Sequence, residues 1–270
     1  RRALLGSQHE DVAQSLNNLG AVNARKSNYE EAERELREAL EIRRRTLGNR
    51  SEPVAETLSE LAEVMFYRGE YAQGEPLIEE ALSIRRGLYG EEHPLVAESI
   101  ALLGQNHADR GDYGKAEEYL RLAMDMQRKL HPLGHPALAE AINNVAWVLM
   151  NQDRPAEAEP LYAEVLAMQR KLFGDAHPDL AVALNNVGFA RDRRGDLRGA
   201  EASYLEALRM NRKLLGERHP EVAKMMSNLA LVIYAQGRRQ EAIDLQRASL
   251  AMRRDLLGSE RVLRIEHEGQ

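Results

Sequence analysis

Five histidines, His9, His93, His135, His177 and His219, recur at multiples of 42 residues, and a proline follows four of them. Imidazole is a common zinc ligand, but a zinc site needs several ligands converging on one ion at about 2 Å. Histidines spread one structural repeat apart cannot converge in that way, so the spacing predicts that each caps the helix after it and that the chain holds no metal. Asparagine forms a second series. Asn17–Asn18, Asn143–Asn144 and Asn185–Asn186 are pairs, and Asn228 follows Ser227. A carboxamide both donates and accepts, and Asn is a mediocre helix former. A row of carboxamides one repeat apart therefore suits the backbone of an extended peptide; the local alternative is that they tie neighbouring helices together. Basic clusters at 43–45, 85–86, 128–129, 170–171, 212–213 and 253–254 form a third series. They suit either a phosphate-binding ridge or the negative ends of helices. The interleaved acids favour the second, so nucleic acid is not an expected partner. No nucleophile–base constellation and no G-x-x-x-x-G-K-[ST] phosphate loop occurs. The chain is read as carrying no catalytic residue and no cofactor, and as not being an enzyme.

The elements that position these residues follow from the step itself. Gly6, Gly48, Gly90, Gly174, Gly216 and Gly258 share one register, with Pro132 at the missing place. A fixed period of this size marks a solenoid whose units bury their apolar faces by stacking on one another. In the unit 177–218, Pro178 suits a first helical position. Leu180, Leu184, Val187 and Gly188 then fall on one helical face, and Gly195–Asp196 make a turn. A second helix is expected from about residue 198, with Ala200, Tyr204, Ala207, Leu208 and Met210 as its apolar stripe, and Gly216 is read as a left-handed cap. Pro76 and Pro160 are read as lying near the starts of second helices, where proline is tolerated if it falls in the first turn.

Small residues recur beside the large ones: Gly20, Ala62, Gly104, Ala146, Gly188 and Ala230 in the first helix, and Ala32, Gly74, Ala116, Ala158, Ala200 and Ala242 in the second. They allow close approach of two antiparallel helices. The fold class is therefore all-α, a right-handed α-solenoid of antiparallel helix pairs. The frame gives repeats at 9–50, 51–92, 93–134, 135–176, 177–218 and 219–260. Residues 1–8 read as the end of a preceding repeat helix and 261–270 as a degenerate cap or tail. The 270 residues carry a formal net charge of −6, 30% charged and 5% aromatic residues, and no cysteine. That balance gives no drive toward nucleic acid or an anionic membrane. No stretch has the roughly 20 apolar residues of a membrane span, so a cytoplasmic location without membrane partners is expected.

The units read HPxVAxxLNNLAxxYxxxGxYxEAExLYxxALxIRRxLLG. They resemble the tetratricopeptide domain of kinesin light chains and their prokaryotic relatives. LNNLG at 16–20, INNVA at 142–146, LNNVG at 184–188, MSNLA at 226–230 and YEEAERELREALEIRR at 29–44 carry the match, which covers about residues 3–258. The resemblance implies a concave groove lined by first helices, in which the motif's asparagines hold a peptide backbone. It also implies a preference for acidic, tryptophan-containing peptides, which Glu56, Glu63, Glu98, Asp109 and Glu140 oppose here.

The expected groove stripe holds Asn17, Asn18, Arg25, Tyr67, Asn143, Asn144, Trp147, Asn185, Asn186, Phe189, Arg193, Asn228 and Leu231. Aromatic residues in a concave groove are typical anchors. One position varies as Ala21, Glu63, Gln105, Trp147, Phe189 and Leu231, which makes each stretch of groove different. The expected function is a scaffold that binds an extended peptide or partner segment. The alternatives are a module that self-associates through its end repeats, or a regulatory or sensor domain of a larger signalling protein or enzyme.

Overall fold

A computed structural model describes the backbone at residue 6 and over residues 8–268, with side chains as far as Gly258. The expected helix end at residues 1–8 falls largely outside the described residues. Among those described, there are twelve α-helices and no strand. In chain order they are α1 (Glu10–Arg25), α2 (Tyr29–Leu47), α3 (Glu52–Tyr67), α4 (Tyr71–Tyr89), α5 (Pro94–Asp109), α6 (Tyr113–Leu130), α7 (Pro136–Asn151), α8 (Pro155–Phe173), α9 (Pro178–Arg193), α10 (Leu197–Leu215), α11 (Pro220–Ala235) and α12 (Arg239–Glu268). The chain is an all-α solenoid of antiparallel pairs, α1/α2 through α11/α12. It divides into two compact units, Arg1–Leu133 and Gly134–Gln270, each with three pairs.

Every expected histidine cap is present. The Nδ1 atoms of His9, His93, His135, His177 and His219 accept from the backbone N–H two residues on, at 3.1–3.3 Å. Two of these rings are also stacked on the last residue of the preceding helix: His93 on Tyr89 at 4.1 Å and His177 on Phe173 at 4.2 Å. The cap thus fixes both the start of a helix and its distance from the one before.

The turn inside each pair ends the first helix with a left-handed residue: Ser27, Gly69, Gly111, Asp153, Gly195 or Gly237. The next N–H then reaches back five residues, as from Asp196 to the Arg191 carbonyl at 2.9 Å, the long bond of a Schellman end. The anchor glycines between pairs do something different from the expected left-handed cap. Gly48 has φ 77°, ψ 168° and Gly216 has φ 86°, ψ 169°. That extended, positive-φ region is accessible essentially to glycine alone. Pro132 cannot adopt it, and α6 stops at Leu130 with His131 at φ −131° as its cap. The division between the two units falls here. Pro76 and Pro160 sit at the sixth residues of α4 and α8, past the first turn. Each removes one i→i−4 donor from the helix interior.

Packing within a pair depends on the small residues. A Cβ built on Gly20 would lie 2.6 Å from Leu36 Cγ, and one on Gly188 would lie 2.9 Å from Tyr204 Cε1. Packing between pairs uses the large ones. Leu36 of α2 sits with Leu61, Val64 and Met65 of α3, and Leu40 with Val54, Ala55 and Leu58. In the second unit Tyr204 and Leu208 of α10 join Val222, Met226 and Leu229 of α11. Burying one such side chain contributes about 1.5–3 kcal/mol, so each joint carries a large share of local stability.

Charge reinforces the joints at a constant step. Glu33 pairs with Arg68 at 2.5 Å, Glu75 with Arg110 at 2.7 Å and Glu159 with Arg194, while Glu201 accepts from Gln236 at 2.8 Å. Each links a second helix to the turn of the following pair. A carboxylate sits at this position in every pair but the last, where Ile243 takes its place. Helix α12 runs on through Glu268, so residues 261–268 continue the last helix.

Candidate functional site

In the second unit, α7, α9 and α11 present one face with a repeating order. Asn144, Asn186 and Asn228 occupy equivalent positions, and three residues later stand Trp147, Phe189 and Leu231. Residues three apart on a helix are surface neighbours, so each carboxamide lies one turn from an apolar side chain. All three apolar residues are exposed, at 46%, 42% and 66%. Such exposure is costly in water unless a partner covers it. Arg193, a turn beyond Phe189, is exposed and ion-paired with Asp153 at 2.8 Å. Tyr234 is exposed on α11, whereas Met150 on α7 is buried.

The carboxamides differ in what they touch. The Asn144 side chain makes no hydrogen bond among the described residues. Asn185 Nδ2 lies 3.4 Å from Asn186 Oδ1, and Asn228 Nδ2 donates to Asn185 Oδ1 at 2.7 Å. Asn185 and Asn228 therefore tie α9 to α11, the local role that competes with peptide contact. Asn143 has its Oδ1 buried without a partner.

In the first unit, the expected site residues Asn17, Asn18, Arg25 and Tyr67 lie on α1 and α3. Asn17 departs from expectation. It is buried, and its Oδ1 accepts from Thr57 Oγ1 at 2.9 Å and lies 3.4 Å from Arg43 Nη1. It belongs to the joint between pairs, not to an open face. Asn18 is exposed and accepts from Gln14 at 2.9 Å. Arg25 is exposed, and Tyr67 is exposed with its ring stacked on Tyr29 at 5.7 Å.

The same face of the first unit is acidic. Glu60, Glu63, Glu98 and Asp109 have no ion-pair partner within 4 Å among the described residues. Burial, together with Glu63 and Glu56, pushes the Glu60 carboxyl up to about 7. Burial and Glu98 raise Glu63, and burial raises Asp109. By contrast, two arginines outweigh burial at Glu159 and hold it below the usual carboxylate range. The acidic face of the first unit is thus electrostatically unsatisfied, while the acids of the inter-pair ladder are satisfied.

Sequence reasoning missed the fate of two arginines. Arg43 and Arg85 were read with the basic clusters as cations at helix ends, but both are buried. Arg43 Nη2 donates to Gln14 at 2.6 Å, its Nη1, with two protons, lies 2.7–2.9 Å from Pro53 O, Thr57 and Glu56, and its Nε lies 3.3 Å from Glu10. Arg85 reaches Glu52 at 3.0 Å and Ser99 at 2.9 Å. Each guanidinium bolts one pair to the next. The signal lay 14 residues downstream, where a hydroxyl (Thr57, Ser99) follows each buried arginine. The outer basic residues are neutralised: Arg44 by Glu80, Arg86 by Glu91, Lys129 by Glu92 and Arg170 by Glu206, at 2.5–2.8 Å. Among the described residues no group of three or more His, Cys, Asp or Glu is placed to hold a metal ion, and no helix is long and apolar enough to cross a membrane.

The tetratricopeptide repeat family matches residues 12–52, 53–129, 137–213 and 194–255. The chain belongs to that family. Its structure is similar to the nearly identical TPR-like repeats of a Podosopora anserina kinesin light chain-like protein, with TM-score 0.69 and 24% identity over 74% of this chain and 95% of that one. It is also similar to BtubC (BKLC) of P. vanneervenii, with TM-score 0.72 and 23% identity over 86% and 91%. A Rap protein complexed with competence and sporulation factor aligns at TM-score 0.58 and 15% identity, over 90% of this chain and 75% of that one. No curated protein matches the sequence.

Proposed function

We propose, from membership of the tetratricopeptide repeat family, that this chain is a protein-interaction scaffold whose second unit binds an extended peptide segment of a partner. One observation carries the reading. On α7, α9 and α11 an exposed apolar anchor stands one turn beyond a carboxamide three times in register: Asn144/Trp147, Asn186/Phe189 and Asn228/Leu231. Anchors supply affinity by leaving water. Carboxamides hold backbone N–H and C=O groups whatever the side chains. The Rap protein bound to competence and sporulation factor supports the reading by likeness of fold. The acidic first unit favours a partner that is not itself acidic along its length, in contrast to the preference implied by resemblance to kinesin light chains.

A test is selection of 12-residue peptides from a random displayed library on the intact chain. Selected peptides should alter Trp147 emission. Asn144→Ala with Asn186→Ala should weaken them at least tenfold while the melting temperature stays within about 2 °C, since both carboxamides are only half-buried and no hydrogen bond shorter than 3.4 Å is lost with them. A large loss of stability would make these asparagines structural and end the proposal, as would unaltered binding. Self-association would use other residues: Leu19 and Val22 of α1 and Leu250 of α12 are exposed, although the equivalent Leu61, Val64 and Leu208 are buried. A dimer that leaves Trp147 emission unchanged would point there.

A further inference from the structure

Between α7, α8 and α9 lies a cavity of about 260 Å³, lined by residues that include Glu140, Asn143, Gln169, Phe173, Asp179 and Ala183. Gln169 is 8% exposed, and both its Oε1 and Asn143 Oδ1 are buried without a partner. An orphaned acceptor costs about 1–3 kcal/mol, so two on residues that line one cavity call for an explanation. The chain supplies one in its first unit. Shifted by three repeats, Gln169 falls on Arg43, Asn143 on Asn17, Glu140 on Gln14, Phe173 on Leu47 and Ala183 on Thr57. In the first unit the Arg43 guanidinium fills the corresponding place and donates to Gln14 and Thr57, with Asn17 Oδ1 at 3.4 Å. In the second unit the arginine is replaced by a shorter amide; Glu140 and Asn143 stand where Gln14 and Asn17 did, Glu140 with a full negative charge, while Pro136, Val182 and Ala183 replace Glu10, Glu56 and Thr57 and leave the space open.

We propose that this cavity is a binding pocket for an arginine side chain of a partner protein, which completes from outside the arrangement that Arg43 makes from inside. The size fits. At about 30 Å³ per water the cavity matches roughly eight waters. That falls just below the range of about 300–1,000 Å³ usual for small-molecule sites and suits one side-chain head. The chemistry fits as well. Guanidinium is a donor-only fork, and every unsatisfied atom here is an acceptor. Phe173, braced by His177 at 4.2 Å, adds an aromatic wall suited to a cation. Lysine fits less well, because one compact ammonium cannot reach separated acceptors as a planar fork does. Asn143 borders Asn144, so an arginine in the pocket would belong to a segment lying along the α7 face. The pocket depends on the peptide reading only for the source of that arginine.

The test begins with N-acetyl-L-arginine methylamide, which needs no extended peptide contacts, titrated into the intact chain while the side-chain amide signals of Asn143 and Gln169 are followed by NMR. The expected result is saturable shifts at both residues, with affinity at least tenfold above the citrulline analogue, its neutral isostere. Glu140→Gln, at an exposed position, should weaken binding about fivefold or more. Gln169→Arg should abolish it, because the chain would then occupy its own pocket. Equal affinity for arginine and citrulline, lysine binding as well as arginine, or full binding by a folded Gln169→Arg variant would each overturn the proposal; if Gln169→Arg does not fold, the Glu140→Gln and citrulline results decide. Failure here with an intact effect of Asn144→Ala and Asn186→Ala on selected peptides would leave the scaffold reading standing, and the reverse pattern would do the opposite.

Discussion

Arg43→Met asks how much the buried guanidinium contributes to the joint between the first two pairs. The arginine, on α2, is fully buried and faces five partners on two other helices, Glu10 and Gln14 of α1 and Pro53 O, Glu56 and Thr57 of α3. Methionine keeps most of the apolar stem and removes the donors. Glu10 and Glu56 are 31% and 45% exposed, so both can recover water and lose little. The uncompensated loss falls on acceptors that Arg43 shares with Thr57. The Thr57 hydroxyl lies within reach of both Asn17 Oδ1, at 2.9 Å, and Pro53 O, at 3.0 Å. It has one proton to give. Without Arg43, one of those acceptors is orphaned at about 1–3 kcal/mol, and the charged hydrogen bonds add to this. Breaking a buried charge network typically costs about 3–5 kcal/mol. Partial exposure of the two carboxylates places Arg43→Met at the lower end, about 3 kcal/mol. With a urea slope of about 2 kcal/mol per molar, the midpoint of the first unit should fall by about 1.5 M. Trp147 reports the second unit, so the measurement is hydrogen exchange of α2 and α3 amides against urea. A shift below about 0.3 M, or one no larger than in Arg45→Met at an exposed helix end, would refute the account. So would a double-mutant cycle with Thr57→Val that shows no coupling.

Three further outcomes follow from the geometry. His177→Ala removes the acceptor for the Asp179 N–H and the stack on Phe173, and should lower stability by about 0.5–2 kcal/mol as other cap losses do; an unchanged urea midpoint would show that the cap is replaced by water. Gly188→Leu places a side chain where even a Cβ meets Tyr204 at 2.9 Å, and overpacking of this kind costs about 1–3 kcal/mol; calorimetry showing an unchanged melting temperature would contradict the close packing of α9 on α10. Glu60 is raised from 4.5 to about 7, so between those values the folded chain holds a proton that the unfolded chain has lost. Stability should therefore fall as pH rises through that window and cease to fall from this cause above about 7. Glu60→Gln should flatten the slope of urea midpoint against pH between 4.5 and 7, and an unaltered slope would remove Glu60 as its source.

The periodic part of the molecule was legible from sequence because each repeat restates it. Pro178 opens α9, Gly195 ends its turn and Leu197 opens α10, one residue from the expected start. The histidine caps were legible for the same reason: spacing excluded convergence on a metal and left one local role. What was not legible depended on pairs of residues in different repeats. Arg43 and Arg170 both sit in basic runs at helix ends, yet one is buried and the other meets Glu206 at the surface. Their difference is one helical position, and it becomes visible only when Thr57 and Ser99 are set against Ala183. Asn17 and Asn144 both belong to LNN-like motifs, but the first member of the pair turns inward to Thr57. A carboxamide alone does not reveal which neighbour it meets. The glycine anchors were placed correctly and their conformation was not, because a positive φ leaves ψ open.

The hydrogen bonds and ion pairs that join one pair to the next, from Arg43 to Thr57 through Asn228 to Asn185, span at most 43 residues of sequence. No residue named here must find a partner farther along the chain than the neighbouring repeat. Loop-closure entropy is then paid in small equal steps, and folding can start in any pair and spread outward. Opening should follow the same route in reverse, advancing pair by pair from a weakened joint. A joint that lacks its internal guanidinium is a natural starting point for that advance, and an arginine arriving there from another molecule would hold it shut.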